Sequence, residues 1–241
     1  MFPKSISPYR LRDAIVEVRY LSKLPLEILL GMFFTSLDES YKYQRRPVGP
    51  QSLPIDPSQQ MQLVTGGNSL FYNDSIKFEF FPNSIVFNCL EEYLGWDKYF
   101  GEIKKVLHRI DKLAQFESYT RVGLRYISQY EGIDLRTVTK FEFSFGMPDV
   151  SSDNFQFRSE FDFGDSIRAV LGISNNLQVL GADNLAARLS TIDIDIIKPI
   201  DVHTLDNLLK EIELVHEKEK EVFFNMLQPD FLAQLHPVYQ K

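Results

Sequence analysis

Residues 13–20 alternate between two sets of side chains, with Ala14, Val16, Val18 and Tyr20 set against Ile15, Glu17 and Arg19. A period of two puts each set on its own side of an extended chain, which predicts a half-buried strand. The period then changes. Ile28, Leu29, Met32, Phe33 and Leu37 recur at helical spacing and predict a helix over 24–38, with Pro25 at its opening, where a missing N–H costs little. Residues 42–59 carry Pro47, Pro50, Pro54, Pro57 and Gly49 and read as an irregular proline-rich connector. Met61–Thr65, Ile76–Phe81 and Ser84–Cys89 read as three strands, the last two joined by a Pro82-Asn83 turn, with Gly66-Gly67-Asn68 as another break. A stripe of Phe100, Ile103, Val106, Leu107 and Ile110 predicts a helix over 97–113, with Asp97 as its N-cap.

The same order of patterns then returns. A strand is expected over 120–130, a short helical region over 133–141, and strands near 141–147, 154–163 and 166–173. Small and polar residues make Asn175–Ala187 an irregular insert, followed by a strand over 189–197 that Pro199 should end. A helix from about 202 to 226 follows, capped by Asp201 or His203; Gln228-Pro229-Asp230 breaks it, and 230–236 reads as a short terminal helix.

The repetition extends to residues. Val16-Glu17-Val18-Arg19-Tyr20 recurs 106 positions on as Val122-Gly123-Leu124-Arg125-Tyr126. The same offset relates Ser84–Phe87 to Ser190–Asp193 and the helix near 97–113 to that near 203–219. The expected fold is therefore α+β: two related β-α-β-β-β-α units with antiparallel sheets packed against long helices. Their expected extents are 1–115 and 116–241, closely packed as one globular body.

With 241 residues, the chain can bury roughly 70–75% of its unfolded surface and needs no covalent staple. Twenty Phe and eleven Tyr supply much of that core. The single cysteine, Cys89, excludes an internal disulfide framework. No apolar run reaches the length of a membrane span, and Met1-Phe2-Pro3-Lys4 lacks the apolar core of a secretion signal, so a cytoplasmic protein without membrane contact is expected. A net charge of −7 opposes generic nucleic-acid binding, which requires a basic surface. Three basic groups, Arg10 with Arg12, Lys42 with Arg45-Arg46, and Lys104-Lys105 with Arg109, read as solvated charges.

Candidate chemistry is sparse. Asp193 and Asp195 lie two apart on a strand and share a face, the arrangement a hard cation could use with a third oxygen; Ile192, Ile194 and Ile196 on the opposite face give the plainer reading of a sheet with one wet side. Glu17 and Arg19 also share a face, and Arg125 repeats Arg19. Two such guanidinium groups suit a phosphate or carboxylate at a pseudo-twofold interface; pairing with carboxylates such as Glu17 or Glu79 is the alternative. Trp96, the only tryptophan, is a candidate anchor for a partner or a lid over the sheet. Cys89, His108, His203, His216 and His236 form no recognisable nucleophile motif, and no phosphate-binding glycine loop, zinc spacing or dinucleotide fingerprint is present. The mixed-charge run Glu211–Glu221 reads as a solvated helix face.

Ile15–Tyr20, Ile76–Phe87, Tyr93-x-Gly95-Trp96-x-x-Tyr99-Phe100, Arg121–Ile127 and Asp193-Ile194-Asp195, in that order, resemble a sporadically distributed family of bacterial proteins of this length. That resemblance spans nearly the whole chain and implies no particular activity; a patchy distribution fits an accessory, regulatory or conflict role. In topology alone the pattern is similar to the saddle of the TATA-binding protein and other helix-grip folds, an analogy that transfers no function. The Glu17-x-Arg19 strand is loosely similar to that of triphosphate-tunnel enzymes, but Ile15 stands where that motif needs a carboxylate. The leading expectation is a non-catalytic, cofactor-free binding protein with a protein partner. A homodimer is compatible with open sheet edges. The alternative is a phosphate-ester or nucleotide-acting enzyme using Arg19, Arg125 and strand carboxylates.

Overall fold

The computed structural model describes residues 2–37, 39–45, 69–90, 92–142, 153–180 and 186–239. The expected strand at Met61–Thr65, the break at Gly66–Asn68, most of the proline-rich connector and most of the strand near 141–147 lie outside the described residues. The elements are β1 (Leu11–Ser22), α1 (Leu26–Ser36), β2 (Lys42–Arg45), β3 (Ser69–Tyr72), β4 (Ile76–Phe81), β5 (Ser84–Cys89) and α2 (Trp96–Asp111). They continue with β6 (Phe116–Glu131), α3 (Leu135–Val138), β7 (Phe155–Asp162), β8 (Arg168–Leu180), β9 (Ala186–Val202), α4 (Leu205–Met226) and α5 (Pro229–Gln234). The fold class is mixed α+β with a large antiparallel sheet. No described helix is long and apolar enough to cross a membrane.

The chain forms two compact units, each discontinuous in sequence, whereas the halves 1–115 and 116–241 are continuous. One comprises Glu17–Thr120 with Asp201–Leu208; the other comprises Met1–Val16, Arg121–Ile200 and Leu209–Lys241.

In the first of these, the strands follow the order β2-β3-β4-β5-β1-β6. β4 and β5 form a tight antiparallel hairpin, from Ile76 opposite Cys89 to Phe81 opposite Ser84, around the Pro82-Asn83 turn. Their alternation sends Phe78, Phe80, Ile85 and Phe87 into the core, where Phe33 of α1 stacks on Phe80 with ring centroids 4.0 Å apart. The α2 stripe of Ile103, Val106, Leu107 and Ile110 is buried as its spacing requires. Two core tyrosines satisfy their hydroxyls on strand backbone: Tyr20 donates to the Phe81 carbonyl and Tyr99 to that of Phe87, both at 2.8 Å. Such a partner offsets the cost of taking a phenol hydroxyl out of water. Cys89, at the end of β5, is buried.

In the other unit the order is β1-β6-β9-β8-β7. Ile192, Ile194 and Ile196 of β9 are buried, as are Ala169, Leu171 and Ile173 of β8 and Ile212 and Val215 of α4. Lys198 of β9 and Glu211 of α4 form an ion pair between strand and helix. Along the chain, β1-α1-β2-β3-β4-β5-α2 is followed by β6-α3-β7-β8-β9-α4, and β5 lies beside β1 and β9 beside β6.

Several local expectations need correction. Lys42–Arg45, expected within the irregular connector, is β2, paired with β3. α2 is capped by Gly95 at φ 82°, a conformation glycine reaches without Cβ strain, and Asp97 falls in the first turn. The helical region near 133 shrinks to α3, whose cap Asp134 accepts a hydrogen bond from the Arg136 N–H. Much of the expected insert is strand: β8 reaches Leu180 and β9 starts at Ala186, with a register shift between Ser174 and Leu177 where Asn176 adopts φ 49°. That bulge disguised a continuous pair of strands. Pro199 does not end β9. It lies past Ile197, the last residue paired with β8, so its missing N–H interrupts nothing on that edge. At the start of α4, Thr204 rather than Asp201 or His203 takes the cap, accepting from the Asn207 and Leu208 N–H groups through its hydroxyl and carbonyl.

Candidate functional site

Asp193 lies opposite Gly172 and Asp195 opposite Val170, so both carboxylates project from the face of β9 away from the three buried isoleucines. Arg125 of β6 meets Asp193 with two nitrogens, Nε donating to Oδ1 at 2.7 Å and Nη2 to Oδ2 at 2.5 Å. This is the fork-on-fork geometry that guanidinium and carboxylate favour. The Asp193 hydrogen bonds raise the guanidinium's affinity for its proton against the effect of burial, helped by the charges of Asp195 and Asp13. Asp195 is itself buried, so it lies in the field of the same arginine that neutralises its neighbour. Among the described residues, no three His, Cys, Asp or Glu side chains are grouped to hold a metal ion.

Arg19 belongs to the other unit. There its Nε donates to Glu17 Oε1 at 2.9 Å along the same strand, and both side chains are partly exposed. The structure thus joins Glu17 with Arg19 and Arg125 with Asp193. Each arginine already holds a carboxylate on the edge an incoming oxyanion would use. Trp96, half-buried at the start of α2, stacks on Phe100 with centroids 4.8 Å apart and 10° between planes. Lys104 covers the same Phe100 ring at 4.5 Å.

Two features escaped the sequence reading. The charge run Glu211–Glu221 is not wholly solvated: His216 is 5% exposed and Glu219 3% exposed. Their positions follow Ile212 and Val215 at helical spacing, a signal that was present but outweighed by the surrounding charges. The Tyr126 ring of β6 lies edge-on to His216 at 6.2 Å. Burial drives the His216 imidazole down to about 3 and the Glu219 carboxyl up to about 8. Lys220 pushes His216 further down and partly counters the rise at Glu219. Both groups are therefore neutral near pH 7.

The second feature is α1. Its sequence, LEILLGMFFTS, is apolar almost all round, yet only Leu29 and Phe33 are buried. Ile28 stands 52% exposed and Phe34 60% exposed. Phe34 meets Tyr43 of β2 edge-on at 5.7 Å, and Tyr43 is 43% exposed as well. Tyr43 is held by its cross-strand partner Phe71, ring centroids 5.2 Å apart, and by a 3.2 Å hydrogen bond between its hydroxyl and that of Ser69. Ile28, Phe34 and Tyr43 are thus apolar surface fixed on two ordered elements.

No family model matches the chain, and neither do curated proteins or solved structures. Chemistry must be read from the geometry itself. The α1 helix keeps apolar side chains exposed beside an aromatic neighbour, and the two arginines each hold a carboxylate.

Proposed function

We propose that this chain is a non-catalytic interaction protein whose outward α1 surface, Ile28 and Phe34 with Tyr43 alongside, receives an apolar segment of a partner protein. The observation that carries the proposal is that α1 is apolar almost all round while its own unit buries only two of its side chains. A helix of that composition is normally enclosed, and an ordered apolar patch left in water marks a contact surface. Exposed Lys23, Glu27 and Lys42 lie close in sequence to the patch and suit a polar rim. An amphipathic partner helix, presenting its apolar stripe, has the matching chemistry.

The similar order of elements and strand neighbours in the runs β1 to α2 and β6 to α4 supports an origin by duplication. A bacterial cytoplasm, as part of an accessory, regulatory or conflict system, suits a lone buried cysteine. The enzyme reading, with Arg19 and Arg125 acting on a phosphate ester or nucleotide, has weaker support, because a substrate oxyanion would have to displace Asp193 or Glu17 first.

The test is native mass spectrometry of the tagged chain recovered gently from its own host. A stoichiometric partner that is retained by the native chain and absent from a Phe34→Glu variant is expected. Sustained turnover of a phosphate ester by the pure protein, lost on replacing both arginines by alanine, would sink the proposal in favour of the enzyme.

A further inference from the structure

β7 is the last strand in the order of its unit, and among the described residues it pairs only with β8. The register with β8 fixes which side each residue takes. Phe157, Ser159 and Phe161 stand opposite the buried Ile173, Leu171 and Ala169, whereas Arg158 and Glu160 stand opposite Gly172 and Val170 on the other face. The covered side runs out of cover toward the end of the strand, where Phe161 is 42% exposed.

Sheet edges in isolated proteins are commonly blunted by charge, usually by charges that repel a second copy. β7 carries charge in the opposite arrangement. When a second β7 is laid antiparallel with the two-fold axis through Ser159, residue 158 falls opposite 160 and residue 157 opposite 161. Arg158 then meets Glu160 twice and Phe157 meets Phe161 twice, all four pairs on matching faces. No like charges face one another in this register, since Asp162 falls opposite Gln156.

We infer that β7 is a homodimerisation edge: two copies of this chain pair antiparallel through Phe157–Phe161 about Ser159, continuing the sheet from one copy into the other. Such an isologous contact is the commonest closed symmetry and covers the exposed Phe161. The inference is independent of the α1 partner, which uses a different strand and helix.

The experiment uses the full chain. Light scattering across a concentration series should show the mass rising from 28.0 kDa toward twice that value. Arg158→Glu places four carboxylates around the axis, and Glu160→Arg places four guanidinium groups there; each single variant should weaken self-association by about tenfold or more. The double variant restores opposite charges and should recover the dimer, which separates a lost contact from a lost fold. Ser159→Cys should form an interchain disulfide under mild oxidation, because residues facing one another across such an axis have Cα atoms about 4.5–5.5 Å apart. Gln156→Cys, set far from its own copy, should not. A chain that stays monomeric throughout, a dimer indifferent to both charge reversals, or equal cross-linking at 156 and 159 would overturn the inference.

Discussion

α1 and α4 break the usual patterning of a helix in opposite directions. α1 leaves Ile28 and Phe34 in water, whereas α4 takes His216 and Glu219 out of it. Both choices oppose stability, since apolar surface gains from burial and ionisable groups lose by it. The difference lies in what the unit does about each. Around α4 the cost is met inside the fold, by holding the buried His216 and Glu219 uncharged, with the Tyr126 ring edge-on to His216. Around α1, among the described residues, Ile28 stays 52% exposed and Phe34 60% exposed even with the Tyr43 ring edge-on to Phe34, and the proposed partner would cover them. A helix that hides charge is explained by the chain; a helix that displays grease is what the proposed partner would cover.

The sharpest contrast sits within α1 itself. Phe33→Ala should cost about 3–5 kcal/mol, because it removes a fully buried ring stacked on Phe80, while Phe34→Ala one residue on should stay within about 0.5 kcal/mol. Chemical denaturation of the two variants reads the difference directly, and equal losses would mean that the outer face of α1 is packed after all.

For α4 the expected signature is a pH profile. Glu219 keeps its proton in the fold up to about pH 8, but an unfolded chain holds it only to about 4.5. Its contribution is therefore fully present below pH 4.5 and declines as pH rises to about 8. His216 behaves inversely: its contribution is complete above pH 6.5 and falls as pH drops toward 3, because the unfolded chain takes up a proton that the fold refuses. Glu219→Gln should flatten the loss between pH 5 and 8 by on the order of 2–4 kcal/mol, measured as unfolding free energy at each pH. A variant as pH-dependent as the native chain would show that Glu219 reaches water.

Arg125→Ala should cost about 2 kcal/mol, since it leaves Asp193 without the guanidinium that holds both its oxygens. Asp193→Asn in the Arg125→Ala background should recover part of that loss, and thermal unfolding of the set measures the coupling. An Arg125→Ala chain as stable as the native one would instead mark the arginine as held for a ligand. The smallest stability change belongs to Ile28→Ser, near zero, although the same substitution should weaken partner binding.

How much of this could be read from sequence depended on the length of each pattern. β1, β4, β5 and α2 were legible because their alternation or stripe runs through six residues or more. β3 was not: Ser69-Leu70-Phe71-Tyr72 is short and all but Tyr72 are buried, so no alternation announces it. The first part of β8 was legible as a strand near 166–173, but its far end hid behind a bulge at Asn175 and Asn176, residues that ordinarily signal a loop, although Asn175 is buried and receives the Leu135 N–H at 2.7 Å. The candidate site divides in the same manner. Arg125 and Asp193 stood out individually, but their bond joins positions far apart in the chain, and only the order β6-β9 brings them together. Glu219 was masked by its charged neighbours, and the exposure of Phe34 was invisible because a helical stripe tells which residues are apolar without telling what covers them.

The most direct test places a photo-cross-linking phenylalanine analogue at position 34 in the host, with the same probe at Asp97 on the exposed start of α2 as control. The proposed role predicts one stoichiometric adduct from position 34, none from 97, and attachment to an apolar segment of the partner. Labelling that is equal at both positions, or absent at 34 while a bound partner survives Phe34→Glu, would contradict it.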